Sequence, residues 1–222
     1  MKYFTQDFID FFSELERNNN REWFSINKER YELFVKIPFF DFIQDLTLNI
    51  NQYDEEILIS PNEAIFRIYR DVRFSKDKSP YKTHASAVIS KGGRKDLSSP
   101  GLYIELNHKG IEIYGGLYQL NKEQILRIRN YIAKNLDDFN NLLKDKDFKK
   151  YFGKIIGEKS KRLSPEFSKI EKVQPLIANK SFYYHSSLSS KKILSNNITE
   201  EVMKFYLAGR PLNDFLRDGL NL

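Results

Sequence analysis

Apolar side chains recur at helical spacing through the N-terminal part of the chain. Phe4, Phe8, Phe11, Phe12 and Leu15 fall at i, i+4, i+7, i+8 and i+11, one stripe of an amphipathic helix with Thr5 as its N-cap. Asn18, Asn19 and Asn20 end that helix. Asn19 with Glu22 three residues on has the form of a capping box for the next. Trp23, Phe24, Tyr31, Phe34 and Val35 carry the second helix as far as Pro38, which is expected to kink or stop it. Phe39, Phe42, Ile43, Leu46 and Ile50 make a third stripe.

From Ala64 the period shortens to two. Phe66, Ile68, Val72 and Phe74 alternate with Arg67, Tyr69, Asp71 and Arg73, which predicts a half-buried strand leading into a basic loop from Ser75 to Lys82. A second strand is expected over Ala85 to Ile89. Leu102, Ile104 and Leu106, a turn from Asn107 to Gly110, then Ile111 and Ile113 read as a β-hairpin. Asn121 caps a helix with Ile125, Ile128 and Ile132 inward, and residues 137–152 repeat the pattern with Phe139, Leu142, Leu143 and Phe148. Ser181 to Leu188 fits a late strand. Thr199 caps a helix expected to stop at Gly209, with Pro211 opening a short last one. The predicted class is α+β, a mostly antiparallel sheet flanked by N-terminal and C-terminal helices, in one domain over residues 1–222.

Composition narrows the chemistry. With 18 Phe, 13 Tyr and 41% hydrophobic residues, the chain can build a core without cross-links and is not a disordered sequence. It has no Cys, which excludes a disulfide scaffold, a thiol nucleophile and a cysteine zinc site. No run of about 18 apolar residues offers a membrane span. Asp7 and Asp10 interrupt the start, so no signal peptide is read and a cytoplasmic protein is expected. The net charge of +6 is uneven: residues 1–66 hold 6 basic and 13 acidic side chains, the remainder 30 and 17. A basic side of this kind attracts anions, although solvated lysines on helices give the same balance.

The densest charge lies in residues 67–96, with nine basic side chains against three acidic. Parity puts Arg70 on the same side as Phe66, Ile68 and Val72. A guanidinium there needs a carboxylate, a carbonyl or a bound anion, unless it snorkels to the edge or a bulge near Asp71 returns it to water. Arg67, Arg70, Arg73, Ser75, Lys78 and Lys82 are the candidate ligand-binding residues, because arginine grips phosphate or carboxylate two-pronged and lysine adds a mobile charge. Asp71, Tyr81 and His84 are the candidate catalytic residues.

In the hairpin an even loop pairs Leu106 with Ile111, hence Glu105 with Glu112 and Tyr103 with Tyr114. Facing carboxylates repel, so a positive group is expected beside them: Arg67 or Arg73 from a neighbouring strand, or a metal ion. Alternatively one carboxyl keeps its proton and serves as acid or base, or the pair belongs to an exposed salt-bridge ladder. His84, His108 and His185 lack a metal-ligand spacing, and no phosphate loop, dinucleotide glycine motif, nucleophile elbow or HExxH is present. No metal or cofactor is assigned. Gly115 and Gly116 at a strand end permit a close backbone approach to a ligand, or simply a bend.

NNNREWF (Asn18 to Phe24) with Lys28 and Tyr31, RIYRDVRFSKDKSPYK (Arg67 to Lys82), GLYIEL, GGLYQL, LSPEFSK and KSF together resemble the bacterial and fungal family called domain of unknown function 2461. The resemblance runs from Tyr3 to Leu216. It departs at Leu117, where the family's glycine run has a third Gly, and after Gln119, where no Pro follows. It implies one domain and brings no assigned activity, cofactor or catalytic residue. Three readings stay open. One is a pocket protein, or an enzyme, for a small anionic molecule. Another is a nucleic-acid-binding module using the basic loop and the Lys-rich segment 144–162. The last is a structural or partner-binding protein, and no membrane partner is expected under any of the three.

Overall fold

The first helix, α1 (Gln6–Arg17), buries Phe8, Phe11, Phe12 and Leu15 with Phe4 just ahead of it, as its apolar stripe requires. In this computed structural model, which describes residues 1–221, the cap of α2 (Arg21–Ile26) is Asn20 and not Asn19. The Asn20 side chain accepts from the Trp23 N–H at 2.9 Å. Asn19 instead clasps the backbone of Tyr81, donating to its carbonyl at 2.9 Å and accepting from its N–H at 3.1 Å. Next, α3 (Lys28–Tyr31) runs through a π-helical turn, Glu32–Lys36, into α4 (Ile37–Asn51). Pro38 therefore does not stop the helix. It lies in the first turn of α4, directly after the wide turn that accommodates it.

After the single turn α5 (Pro61–Ala64) come β1 (Ala85–Ser90), β2 (Gly101–Leu106) and β3 (Gly110–Leu117). Four helices follow: α6 (Lys122–Lys134), α7 (Leu136–Lys144), α8 (Lys146–Tyr151) and α9 (Pro165–Glu171). Then β4 (Phe182–Ser189) completes an antiparallel sheet in the order β1-β2-β3-β4. The architecture is α+β. The hairpin has the expected register, with Glu105 opposite Glu112 and Tyr103 opposite Tyr114.

One face of the sheet presents Ala87, Ile89, Leu102, Ile104, Ile111 and Ile113 to the helices, all buried. The last helix, α10 (Ile198–Asn221), lies along that face and joins two apolar clusters. Val202 and Phe205 pack with α1 and α4, whereas Leu212, Phe215 and Leu216 pack with Phe139, Phe148 and Phe167 of α7, α8 and α9. This helix continues through Gly209 and Pro211 instead of stopping. Gly209 marks a close approach: a Cβ there would come within 2.3 Å of the Tyr184 hydroxyl. Among the described residues no helix is long and apolar enough to cross a membrane.

The strand expected over Phe66 to Phe74 does not form. Only isolated bridges occur, Ile65 with Ala87 and Tyr69 with Tyr81. The ribbon holds through Arg70, whose N–H reaches the Pro80 carbonyl at 2.9 Å. Beyond it, side chains capture the turn. Asp71 accepts from the backbone N–H of Arg73 at 3.2 Å, and Asp77 accepts from that of Ser79 at 2.9 Å. Aspartates bonded to the backbone two residues on favour turns over a ladder. The parity argument therefore lapses after Arg70, and Phe74, expected inside, is 95% exposed.

Candidate functional site

The loop 70–79 satisfies its own charges. Arg70 Nη1 donates to Asp77 at 2.5 Å and to the Ser79 carbonyl at 3.2 Å. Arg73 forks onto Asp71 through Nε at 3.0 Å and Nη2 at 2.7 Å, while Lys78 Nζ caps the Val72 carbonyl at 2.9 Å. These bonds hold the Asp71 carboxyl down to about 2, and the Ser79 and Arg70 donors hold Asp77 lower still. Arg70, Arg73 and Lys78 thus have partners within the loop, and Ser75 lies among them. None lines either of the cavities described below. Asp71 is tied to Arg73. Tyr81 is buried, its ring stacked on Phe24 at 4.0 Å between centroids and 15° between planes. Of the candidate residues, the structure brings Arg67, Lys82 and His84 to cavities, and places Glu105 and Glu112 nearby.

The larger cavity, about 680 Å³, lies between α3, α4 and the ribbon. Arg67 and His84 line it, and so do Lys28, Lys36, Arg94 and Lys95, against Glu32 as the single carboxylate. Lys36 is bound to Glu32 at 2.6 Å, and Arg94 donates to the Ile65 carbonyl at 3.0 Å. Among the described residues Lys28, Arg67 and Lys95 have no carboxylate partner within bonding distance. Phe12, Phe24 and Phe39 form the apolar wall of the recess, while Lys28, Arg67 and Lys95 are themselves exposed to solvent.

The second cavity, about 390 Å³, opens on the sheet face turned away from the core. Its register explains its shape. One row across the sheet is Val88, Tyr103, Tyr114 and His185, and the next is Ser90, Gly101, Gly116 and Tyr183. The paired glycines leave the middle of the second row without side chains. Both are demanded by the backbone. A Cβ on Gly101 would meet the Ile89 carbonyl oxygen at 2.4 Å, and Gly116 has φ +91°. Lys82 closes one side, its Nζ 4.9 Å from the Phe66 ring centre. Burial pushes this amine below its ordinary range, opposed by the charge of Glu105.

The groups beside the facing carboxylates are histidines, not Arg67, Arg73 or a cluster suited to a metal. His84 Nε2 lies 3.6 Å from Glu105, and His185 Nε2 bonds Glu112. Tyr103 donates its hydroxyl to Glu105 at 2.5 Å. Among the described residues no three His, Asp or Glu side chains converge to hold a metal ion. Burial holds His84 below the ordinary histidine value of 6.5, with Glu105 opposing and Lys82 adding to the effect. The folded state therefore binds this proton less well than the unfolded chain. His84 contributes full stability above pH 6.5 and loses it as pH falls. An NMR titration is expected to follow the His84 ring below the free-imidazole midpoint, and a higher midpoint would contradict this geometry.

Arg94 and Lys95 belong to the basic run 67–96 and Lys28 to the motif beside NNNREWF, but none was a candidate ligand-binding residue, because only the fold brings α3 and the segment after β1 against the ribbon. Tyr114 was more accessible, since Tyr103 opposite Tyr114 already follows from hairpin register, whereas Tyr183 joins them only through the pairing of β3 with β4.

The chain is thus an α+β protein with a helix-backed antiparallel sheet, a basic cleft at the sheet's edge and an aromatic cavity on its other face. Residues 7–215 match the family described as conserved hypothetical protein (DUF2461), and the chain belongs to that family. No curated protein and no solved structure matches the chain.

Proposed function

We propose that the protein binds a small phosphate- or carboxylate-bearing molecule in the basic cleft. The observation that carries this reading is the convergence of Lys28, Arg67 and Lys95 on one recess without carboxylate partners among the described residues. Unneutralised cations beside an apolar wall repel one another, and a bound anion relieves that repulsion. Arg67 supplies the two-pronged contact and the lysines supply charge. His84 stands at the same cleft as its proton-handling group.

The test is calorimetric titration with pyrophosphate and with citrate. Wild type is expected to bind at least one. Arg67→Met is expected to weaken that binding about tenfold or more, the size of a lost charge-assisted hydrogen bond. Arg70→Met serves as the contrast, because Asp77 already occupies its guanidinium, and its affinity is expected to match wild type. Equal losses in both variants, or no binding, would remove the cleft as an anion site. Retardation of single-stranded RNA at low salt that survives Arg67→Met would favour the Lys-rich segment 144–162.

A further inference from the structure

The cavity on the free face of the sheet is chemically unlike the basic cleft. Rings make its walls: Phe66, Tyr103, Tyr114, Tyr118 and Tyr183. They meet one another edge to face, Tyr103 with Tyr114 at 5.7 Å and 61°, and Tyr118 with Tyr183 at 5.7 Å and 84°. Such rings offer both π faces and edges, the surfaces against which another ring packs best. Lys82 is the one charged side chain that lines the cavity among the described residues. It rests on Phe66 and, among the described residues, has no carboxylate within ion-pair distance. The Ser90 hydroxyl is fully buried without a partner, and its side chain points to the same sheet face as Val88, which lines the cavity. The volume, about 390 Å³, falls within the range of roughly 300–1,000 Å³ typical of small-molecule sites.

We propose that this cavity is a second binding site, for a planar aromatic acid whose ring packs among Tyr103, Tyr114 and Tyr183 and whose anionic group meets Lys82. The paired glycines at 101 and 116 leave room for the ring. An aliphatic ring of the same size lacks the flat faces and polar edges that the tyrosines match. An uncharged ring leaves the Lys82 ammonium half-buried and unpaired. The site shares the Phe66 ring with the basic cleft, and the probes separate the two.

Benzoate, cyclohexanecarboxylate and benzamide are titrated against the full chain by ligand-observed NMR. Benzoate is expected to bind about fivefold more tightly than cyclohexanecarboxylate. Lys82→Met keeps the aliphatic stem on Phe66 and is expected to weaken benzoate about tenfold while leaving benzamide unchanged. Ser99→Trp, on the loop at the cavity's rim, is expected to abolish binding of all three. Arg67→Met is expected to leave benzoate unaffected. The proposal is overturned if benzoate does not bind, if the two carboxylates bind equally, or if Arg67→Met and not Lys82→Met removes binding, which would put the acid in the basic cleft.

Discussion

Replacing Asn213 by leucine is expected to cost about 3 kcal/mol of stability, read as a lower urea midpoint with an unchanged slope. Asn213 is buried on the face of α10 that meets the sheet. Its Oδ1 accepts from the Gly116 N–H at 2.9 Å, and its Nδ2 donates to the Gly101 carbonyl at 3.2 Å. The Tyr184 hydroxyl has two acceptors within reach for its one proton, Asn213 Oδ1 at 2.8 Å and the Gly209 carbonyl at 2.9 Å. Leucine fills the space and leaves the two glycine backbone groups unpaired, each costing about 1–3 kcal/mol when buried. Tyr184 keeps Gly209. Tyr184→Phe is therefore expected to be milder, near 1 kcal/mol, because only the shared proton is lost. The ring cannot shift to compensate, since Gly115 and Gly209 lie against it: a Cβ on either would come within 2.5 Å of the Tyr184 side chain. The same network fixes Gly101 and Gly116, the two residues that open the aromatic cavity. A shift of the NMR signals of Tyr103 and Tyr114 in Asn213→Leu would accompany the stability loss.

What could be read from the residues depended on how local the deciding interaction was. Helix α1 and the hairpin were legible because a stripe of phenylalanines, or an alternation across a short turn, involves only neighbours. The hairpin register then placed Glu105 against Glu112 correctly. The identity of their neighbours was not legible. His185 reaches Glu112 only through the pairing of β3 with β4, which are separated by α6 to α9. Arg70 misled for a related reason. Its parity was sound within a strand, but Asp71 and Asp77 bonded to the nearby backbone and ended the ladder, so the guanidinium found its partner inside the loop. Gly209 and Pro211 resembled a helix boundary, yet the glycine is there to admit Tyr184. Of the proposed anion-binding arginines, only Arg67 lines the basic cleft, whose other cations come from segments that the sequence places far apart.

Arg217→Met is expected to lower stability by about 3 kcal/mol, the lower end for stranding one partner of a buried ion pair. Asp54 follows α4 and is 6% exposed. Its carboxylate receives Arg217 Nη2 at 2.5 Å, and Nη1 of the same guanidinium reaches Asp214 at 3.0 Å. Burial already pushes the Asp214 carboxyl above its ordinary value, with Arg217 and Arg210 holding it back. Methionine removes the charge that both aspartates face, while keeping most of the packed stem. Asp54 is then left buried and unpaired, the costly half of a broken pair. The double variant Asp54→Leu with Arg217→Met separates this cause from lost packing. A pair replaced on both sides by apolar groups is often nearly neutral, so the double variant is expected to recover most of the loss. If the two single losses simply add, the pair is not what ties the end of α4 to α10. Coupling of about 1 kcal/mol or more identifies it as that tie. The basic cleft shares α4 with this join: Phe39 and Phe40, at the other end of the helix, form part of its wall and Lys36 stands one turn before them. Chemical shifts at Lys36 and Arg67 are therefore expected to move in Arg217→Met and to return in the double variant.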